Sequence, residues 1–213
     1  MDAPTQIQTP RRSEIQRDLA LLLLTVILCS APFMSQPFHM DDSFYMDMAR
    51  NAQDEPLYPN DIPYIFEGRY LPDMGSHSHP PLQTYFLAFL QRLFGEEEGI
   101  EWIYHTATVF FALLAVISFY FLSARFVARP IWPAAALAVS PVFLVMSHTL
   151  MTDVPNLAFW LASLACFLWA AELGRSILYL PGSLFLFSAM FTSYQSAILV
   201  PLLAFYLFRK RAR

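Results

Sequence analysis

The sequence predicts an all-α integral membrane protein with about six transmembrane helices and a long extracytoplasmic first loop that carries two interfacial helices. Three observations lead there. Of the 213 residues, 56% are hydrophobic and only 14% charged, against about 25% charged in an ordinary soluble domain. The apolar residues come in long blocks rather than in the narrow stripes of an amphipathic core. Ten of the 13 Lys and Arg gather at one set of block ends: Arg11, Arg12, Arg17, Arg125, Arg129, Arg175, Arg209, Lys210, Arg211 and Arg213. The positive-inside rule makes that side cytoplasmic. The formal net charge of -4 carries little information when charges are so segregated, and no nucleic-acid partner is expected.

Residues 1–18 are polar and 19–33 apolar. Cys29-Ser30-Ala31 resembles a small-residue cleavage site, but Pro32 follows at once, so the segment reads as a retained first span with a cytoplasmic N-terminus. Residues 36–101 form one hydrophilic stretch, too long for a plain connection. Within it, Tyr45, Met48, Ala49 and Ala52 share one helical face. Leu82, Tyr85, Phe86, Phe89 and Leu93 do the same behind Pro80-Pro81, a helix-starting pair. Both pieces have the character of helices lying in the interface plane. Residues 55–74, rich in proline and tyrosine, read as irregular.

Further spans follow over 103–126, 133–150 and 155–171, with Pro141 a kink in the second. Residues 177–191 and 194–208 are shorter than the roughly 20 residues a span needs. Counting each as a span places both termini inside and puts 36–101, 147–153 and 192–195 on the outer side. Cys29 and Cys166 lie inside apolar blocks and read as packing residues. The whole chain, 1–213, reads as one transmembrane domain, with 36–101 the loop that bears the active site.

Twelve of the 17 acids fall in that loop. Asp41 and Asp42 stand out because they sit where a span ends and a helix begins. Carboxylates there can cap the helix and complement its dipole; two neighbours can also divide the work of proton acceptor and ligand positioner. His77 and His79 have a spacing that a divalent cation tolerates, with Asp41, Asp42 or His148 as further ligands. His79 can equally cap the next helix or contact a phosphate at its N-terminus. No cofactor is expected beyond that possible cation. Asp153 opens a span at membrane level, either as a cap with Thr152 or as part of a site.

Taken together, Asp41-Asp42-Ser43-Phe44-Tyr45, His79-Pro80-Pro81-Leu82 and Met151-Thr152-Asp153-Val154-Pro155 resemble the GT-C glycosyltransferases. The similarity is greatest to the polyprenyl-phosphate-sugar-dependent members, protein O-mannosyltransferases and the aminoarabinose transferases of lipid A. It covers nearly the whole chain. The resemblance implies Asp41, with Asp42, as the catalytic pair. It also implies that Asp153 helps line the cavity, and that the Pro-Pro helix and nearby basic residues hold the donor's lipid phosphate. The substrate-binding candidates are Tyr45, Arg69, His77, His79, Arg92, Asp153 and Gln195. Three departures stand out. Asp42 replaces the usual Glu, and His79 and Ser193 stand where relatives often carry lysine, leaving Arg69, Arg92 and His79 as candidate cations. The chain also ends at Arg213, where such enzymes continue, so it is expected to be a fragment, a half-length protein or one part of an assembly.

The function expected is transfer of a mannose-like sugar from a polyprenyl-phosphate donor to a hydroxyl on a protein, lipid or glycan, in the inner or plasma membrane. The competing readings are a multi-pass transporter and a non-catalytic membrane subunit. Transporters place ionisable groups near the midplane, whereas Asp153 and Glu172 fall at span ends.

Overall fold

The computed structural model describes residues 11–66, 68–73, 79–97 and 99–211. Apart from one small hairpin, its regular structure is helical. The helices are α1 (Arg12–Ser30), α2 (Met40–Asp54), α3 (Leu82–Phe94), α4 (Glu101–Ser123), α5 (Ile131–Ala138), α6 (Pro141–Met146), α7 (Asp153–Leu173), α8 (Tyr179–Met190) and α9 (Leu199–Arg211). Strands β1 (Tyr64–Phe66) and β2 (Arg69–Leu71) lie between α2 and α3.

Among the described residues three helices are long and apolar enough to cross a membrane: α1 with its continuation to Phe33, α4 and α7. Along α1 only Asp18, Leu22, Val26 and Ser30 are buried, one residue per turn at a spacing of four. Leu21, Leu23, Leu24, Ile27 and Leu28 point outward, as befits a helix whose solvent on that side is lipid. At its start Glu14 accepts a hydrogen bond from the Arg11 backbone (2.9 Å).

α4 is the central helix. Val109, Phe111, Ala112, Ala115, Val116 and Tyr120 form one core with Leu22 and Val26 of α1, Ala134 and Ala138 of α5 and Val154 and Ala158 of α7. The recurrent alanines let helix backbones approach closely, which is how helices associate when lipid offers no hydrophobic contrast. The segment read as a span over 133–150 is two short helices. α5 ends at Ala138, and α6 restarts at Pro141 with the Ser140 hydroxyl accepting from the Phe143 amide (3.3 Å). The proline lacks the N–H that a continuous helix would use. α8 and α9 have 12 and 13 residues.

A second core lies beside the bundle. It joins Phe44, Tyr45, Met48 and Ala49 of α2, Leu87, Ala88 and Leu90 of α3, Tyr104 of α4, and Leu150. On α2 the buried face is the one the periodicity marks. On α3 it is not. Gln83, Thr84, Leu87, Ala88, Leu90 and Gln91 are buried, while Phe89, Leu93 and Phe94 are at least half exposed. Phe89, Leu93 and Phe94 look outward while Phe86 packs on Phe111, and the glutamines face inward, where Gln91 donates to the Met46 carbonyl (2.9 Å) and Gln83 to the Leu150 carbonyl (2.9 Å).

The stretch read as irregular contains two short strands. β1 and β2 pair antiparallel, Tyr64 with Leu71, Ile65 with Tyr70 and Phe66 with Arg69. Gly68 takes φ +76° at the turn, a conformation that favours glycine. The Tyr64 ring lies 4.3 Å from that of Phe44, which ties the hairpin to α2.

Candidate functional site

Four stretches distant in sequence converge at one end of the bundle. They are the start of α2, the His79-Pro80-Pro81 lead into α3, residues 147–153 before α7, and the turn after α8.

Asp42 holds the first to the third. Its Oδ2 accepts from the His39 backbone (2.7 Å) and its Oδ1 from the Leu150 backbone (2.6 Å). The side chain is fully buried. Burial pushes its carboxyl up from the usual carboxylate range, and the two backbone donors oppose that rise. Leu150 is gripped from both sides, since its carbonyl accepts from Gln83. Behind it, Gln36 donates to the His148 carbonyl (2.9 Å), and its own carbonyl lies 3.1 Å from His105 Nε2.

Asp41 occupies the same helix turn but only half-buried. Its charge reaches the phenols of Tyr45 and Tyr64 and helps to raise both. Tyr45, one turn along α2, is 4% exposed. Its phenol is pushed up to about 12, first by burial and then by the charges of Asp153 and Asp41, against hydrogen bonds to the side chain and backbone of Thr152. A buried phenol so raised stays neutral near pH 7 and serves as a hydrogen-bonding group.

Thr152 continues the chain of contacts: its hydroxyl lies 3.2 Å from His79 Nδ1. His79 is anchored by its carbonyl, which accepts from Asn60 (3.2 Å), and Asn60 Oδ1 accepts from the Thr84 hydroxyl (3.4 Å). The Leu82 amide donates to the Phe191 carbonyl (3.1 Å), bringing up the turn after α8. Beyond that turn Trp160 donates to the Ser196 hydroxyl (2.7 Å), which donates to Asn156 (2.7 Å).

Tyr45 and His79 therefore meet at Thr152, with the charges of Asp41 and Asp153 close enough to act on the Tyr45 phenol, and the buried Asp42 joins α2 to the Leu150 backbone as a strut. Asp153 is exposed, as is Gln195 in the neighbouring turn. Arg69 sits exposed on β2 and Arg92 exposed in the last turn of α3, roughly 15 Å of helix from Leu82. Neither has an ion pair among the described residues, whereas Arg50 is held by Asp47 and Glu96. His77 lies outside the described residues. Among those residues no three His, Cys, Asp or Glu side chains converge on a metal-sized position.

In sequence Thr152 reads as a cap and as part of the Met151-Thr152-Asp153-Val154-Pro155 motif, and Asn60 and Gln83 are assigned no part in the site. The signal for Gln83 was there, as a polar residue in the first turn of an otherwise apolar helix. Chemically, the arrangement offers a neutral phenol and an imidazole at one hydroxyl, with the half-exposed Asp41 carboxylate near enough for its charge to act on that phenol.

A family model described as dolichyl-phosphate-mannose-protein mannosyltransferase matches residues 78–213. The match runs from the lead into α3 through the rest of the chain; α1 and α2 precede it. No curated protein and no solved structure matches.

Proposed function

Because the chain belongs to the dolichyl-phosphate-mannose-protein mannosyltransferase family, we propose that it is a GT-C type membrane glycosyltransferase that moves a mannose-like sugar from a polyprenyl-phosphate donor to a hydroxyl on a protein, lipid or glycan. In this reading the chain spans the membrane six times, with α5–α6, α8 and α9 completing the set, and residues 36–101 lie on the extracytoplasmic side. The observation that carries the reading is the Tyr45–Thr152–His79 chain of contacts set beside Asp41.

The chemistry follows from the groups present. The acceptor hydroxyl is a poor nucleophile. Asp41 takes its proton as the oxygen attacks the anomeric carbon, a new C–O bond forms, and the bond to the donor phosphate breaks. The phosphate leaves with the electron pair, as an anion that needs cationic or hydrogen-bonding partners more than a proton. His79, at the head of α3, is the first candidate to meet it, and Arg69, Arg92 and Gln195 are the remaining ones. Tyr45 stays neutral and orients substrate oxygen atoms, and Asp153 helps line the cavity. Asp42, both of whose oxygens are already engaged by backbone amides, supports the pair rather than reacting.

The test is direct. Purified protein in lipid nanodiscs is given a polyprenyl-phosphate-mannose donor and a hydroxyl acceptor, and sugar release and product are measured. Release that requires Asp41 supports the reading. Donor that stays intact while the protein binds it would favour a non-catalytic subunit.

A further inference from the structure

At the end of the bundle opposite Asp41, α1, α4, α7 and the turn into α8 leave a cavity of about 420 Å³, within the range of small-ligand pockets. Its walls include Tyr120, Phe121, Cys166, Trp169, Leu178 and Phe185. Along α4 its wall runs from Leu114 to Ala124, beginning roughly 15 Å of helix from Tyr104, which lies beside the candidate site.

The wall is dry by construction. The Tyr120 hydroxyl is turned onto Asp18 (3.3 Å), and the Trp169 indole N–H donates to the Phe121 carbonyl (3.0 Å). The Arg125 guanidinium covers the Trp169 ring, 5.1 Å from its centroid, and pairs with Glu172. Apart from Ser118 and Cys166, the cavity presents carbon. Hydrocarbon suits it, and a sugar, nucleotide or ion would lose its hydration there unpaid.

The rim is basic. Arg175 lies between the lining residues Leu173 and Leu178, and Arg12 precedes the lining residue Ile15 by one helical turn. Of the local acids, Asp18 is paired with Arg17 and Glu172 with Arg125, and Glu14 accepts the Arg11 amide at the start of α1. Arg12, Arg129 and Arg175 are exposed and form no ion pair among the described residues. This is the arginine-rich side, which the positive-inside rule turns to the cytoplasm, where the leaflet is rich in anionic lipid.

We propose that the cavity binds one acyl chain of an anionic phospholipid from the cytoplasmic leaflet, with Arg175 and Arg12 holding its phosphate. A hydrocarbon interior and a cationic mouth match the two halves of such a lipid. The site rests on the orientation of the bundle and is independent of sugar transfer.

The experiment uses the full chain in nanodiscs with phospholipids brominated on the acyl chain, under either a glycerol or a choline headgroup. The Trp169 contribution to fluorescence is taken as the difference from Trp169→Phe. The anionic lipid is expected to quench Trp169 at a severalfold lower mole fraction than the choline lipid. Removing Arg175 or Arg12 as alanine shifts that mole fraction by roughly fivefold each. Cys166→Phe, or the milder Cys166→Leu, fills the cavity and removes the quenching. Equal quenching by both headgroups overturns the assignment, as does quenching that survives both Cys166 variants. Absence of quenching by either lipid means that protein covers the cavity, and also overturns it.

Discussion

Asp42 and Leu150, 108 residues apart in sequence, are joined by a 2.6 Å hydrogen bond from the Leu150 amide to the buried Asp42 carboxylate. The same carboxylate accepts the His39 amide. One side chain therefore caps α2 and pins the loop ahead of α7 against it, which sets Thr152 between Tyr45 and His79.

Asp42→Asn keeps the shape but offers one acceptor where two are used, so one buried amide faces an NH₂ group. A buried donor left unsatisfied costs about 1–3 kcal/mol. Thermal unfolding in detergent should fall clearly for Asp42→Asn and little for Asp41→Asn. The reverse order would mean that Asp41 is the strut.

Asp41→Asn removes the proposed proton acceptor while leaving both backbone contacts of Asp42 in place. Loss of a general base lowers rate by about 10²–10⁴-fold. Turnover with a polyprenyl-phosphate-mannose donor should drop by that order with donor affinity little changed. Normal turnover would reduce Asp41 to a helix-end charge.

The Tyr45 phenol is raised from 10.0 to about 12. The native state holds its proton more tightly than the unfolded chain, so this residue contributes stability that is complete below about pH 10 and is lost as pH climbs towards 12. Its phenolate absorbance, read as the difference from Tyr45→Phe, should emerge only near pH 12. Tyr45→Phe should lower turnover without altering the shape of the rate profile between about pH 6 and pH 9. A phenolate that emerges near pH 10 would mean that the side chain is solvated and the Thr152 contact absent.

Leu57, 83% exposed, and Phe126, 70% exposed, report orientation without disturbing the site. With Cys29 and Cys166 replaced by alanine, Leu57→Cys should react with a membrane-impermeant thiol reagent on intact cells, and Phe126→Cys only after permeabilisation. The opposite pattern would invert the protein and the proposed site with it.

The outward phenylalanine face of α3 should lie in the interface. A nitroxide at Phe89 should report a depth at the level of the lipid headgroups and upper acyl chains; a midplane depth would make α3 a span. Gln91→Leu, although more apolar, should lower stability, because Gln91 bonds both the Met46 carbonyl and Gln53.

The amino-acid sequence by itself determined what near neighbours encode. The apolar blocks, the helical faces of 45–52, the break at Pro141, the arginine asymmetry and the three short motifs are all properties of composition and spacing within a few turns. Membrane solvent makes that local signal strong, since every spanning backbone must satisfy its own hydrogen bonds. Tertiary structure decided the rest. Asp41 and Asp42 are indistinguishable as a dipeptide; only the arrival of Leu150 from far along the chain buries one and leaves the other half-open. The α3 pattern misleads for the same reason: Phe89 and Phe94 face out and Gln83 and Gln91 face in, where the carbonyls of Leu150 and Met46 take their donors. The strands Tyr64–Phe66 and Arg69–Leu71 pair with Tyr64 packed on the Phe44 ring, and Thr152 becomes a bridge because Tyr45 of α2 and His79 ahead of α3 both reach it. Such pairings depend on which distant groups meet, and no periodicity records that.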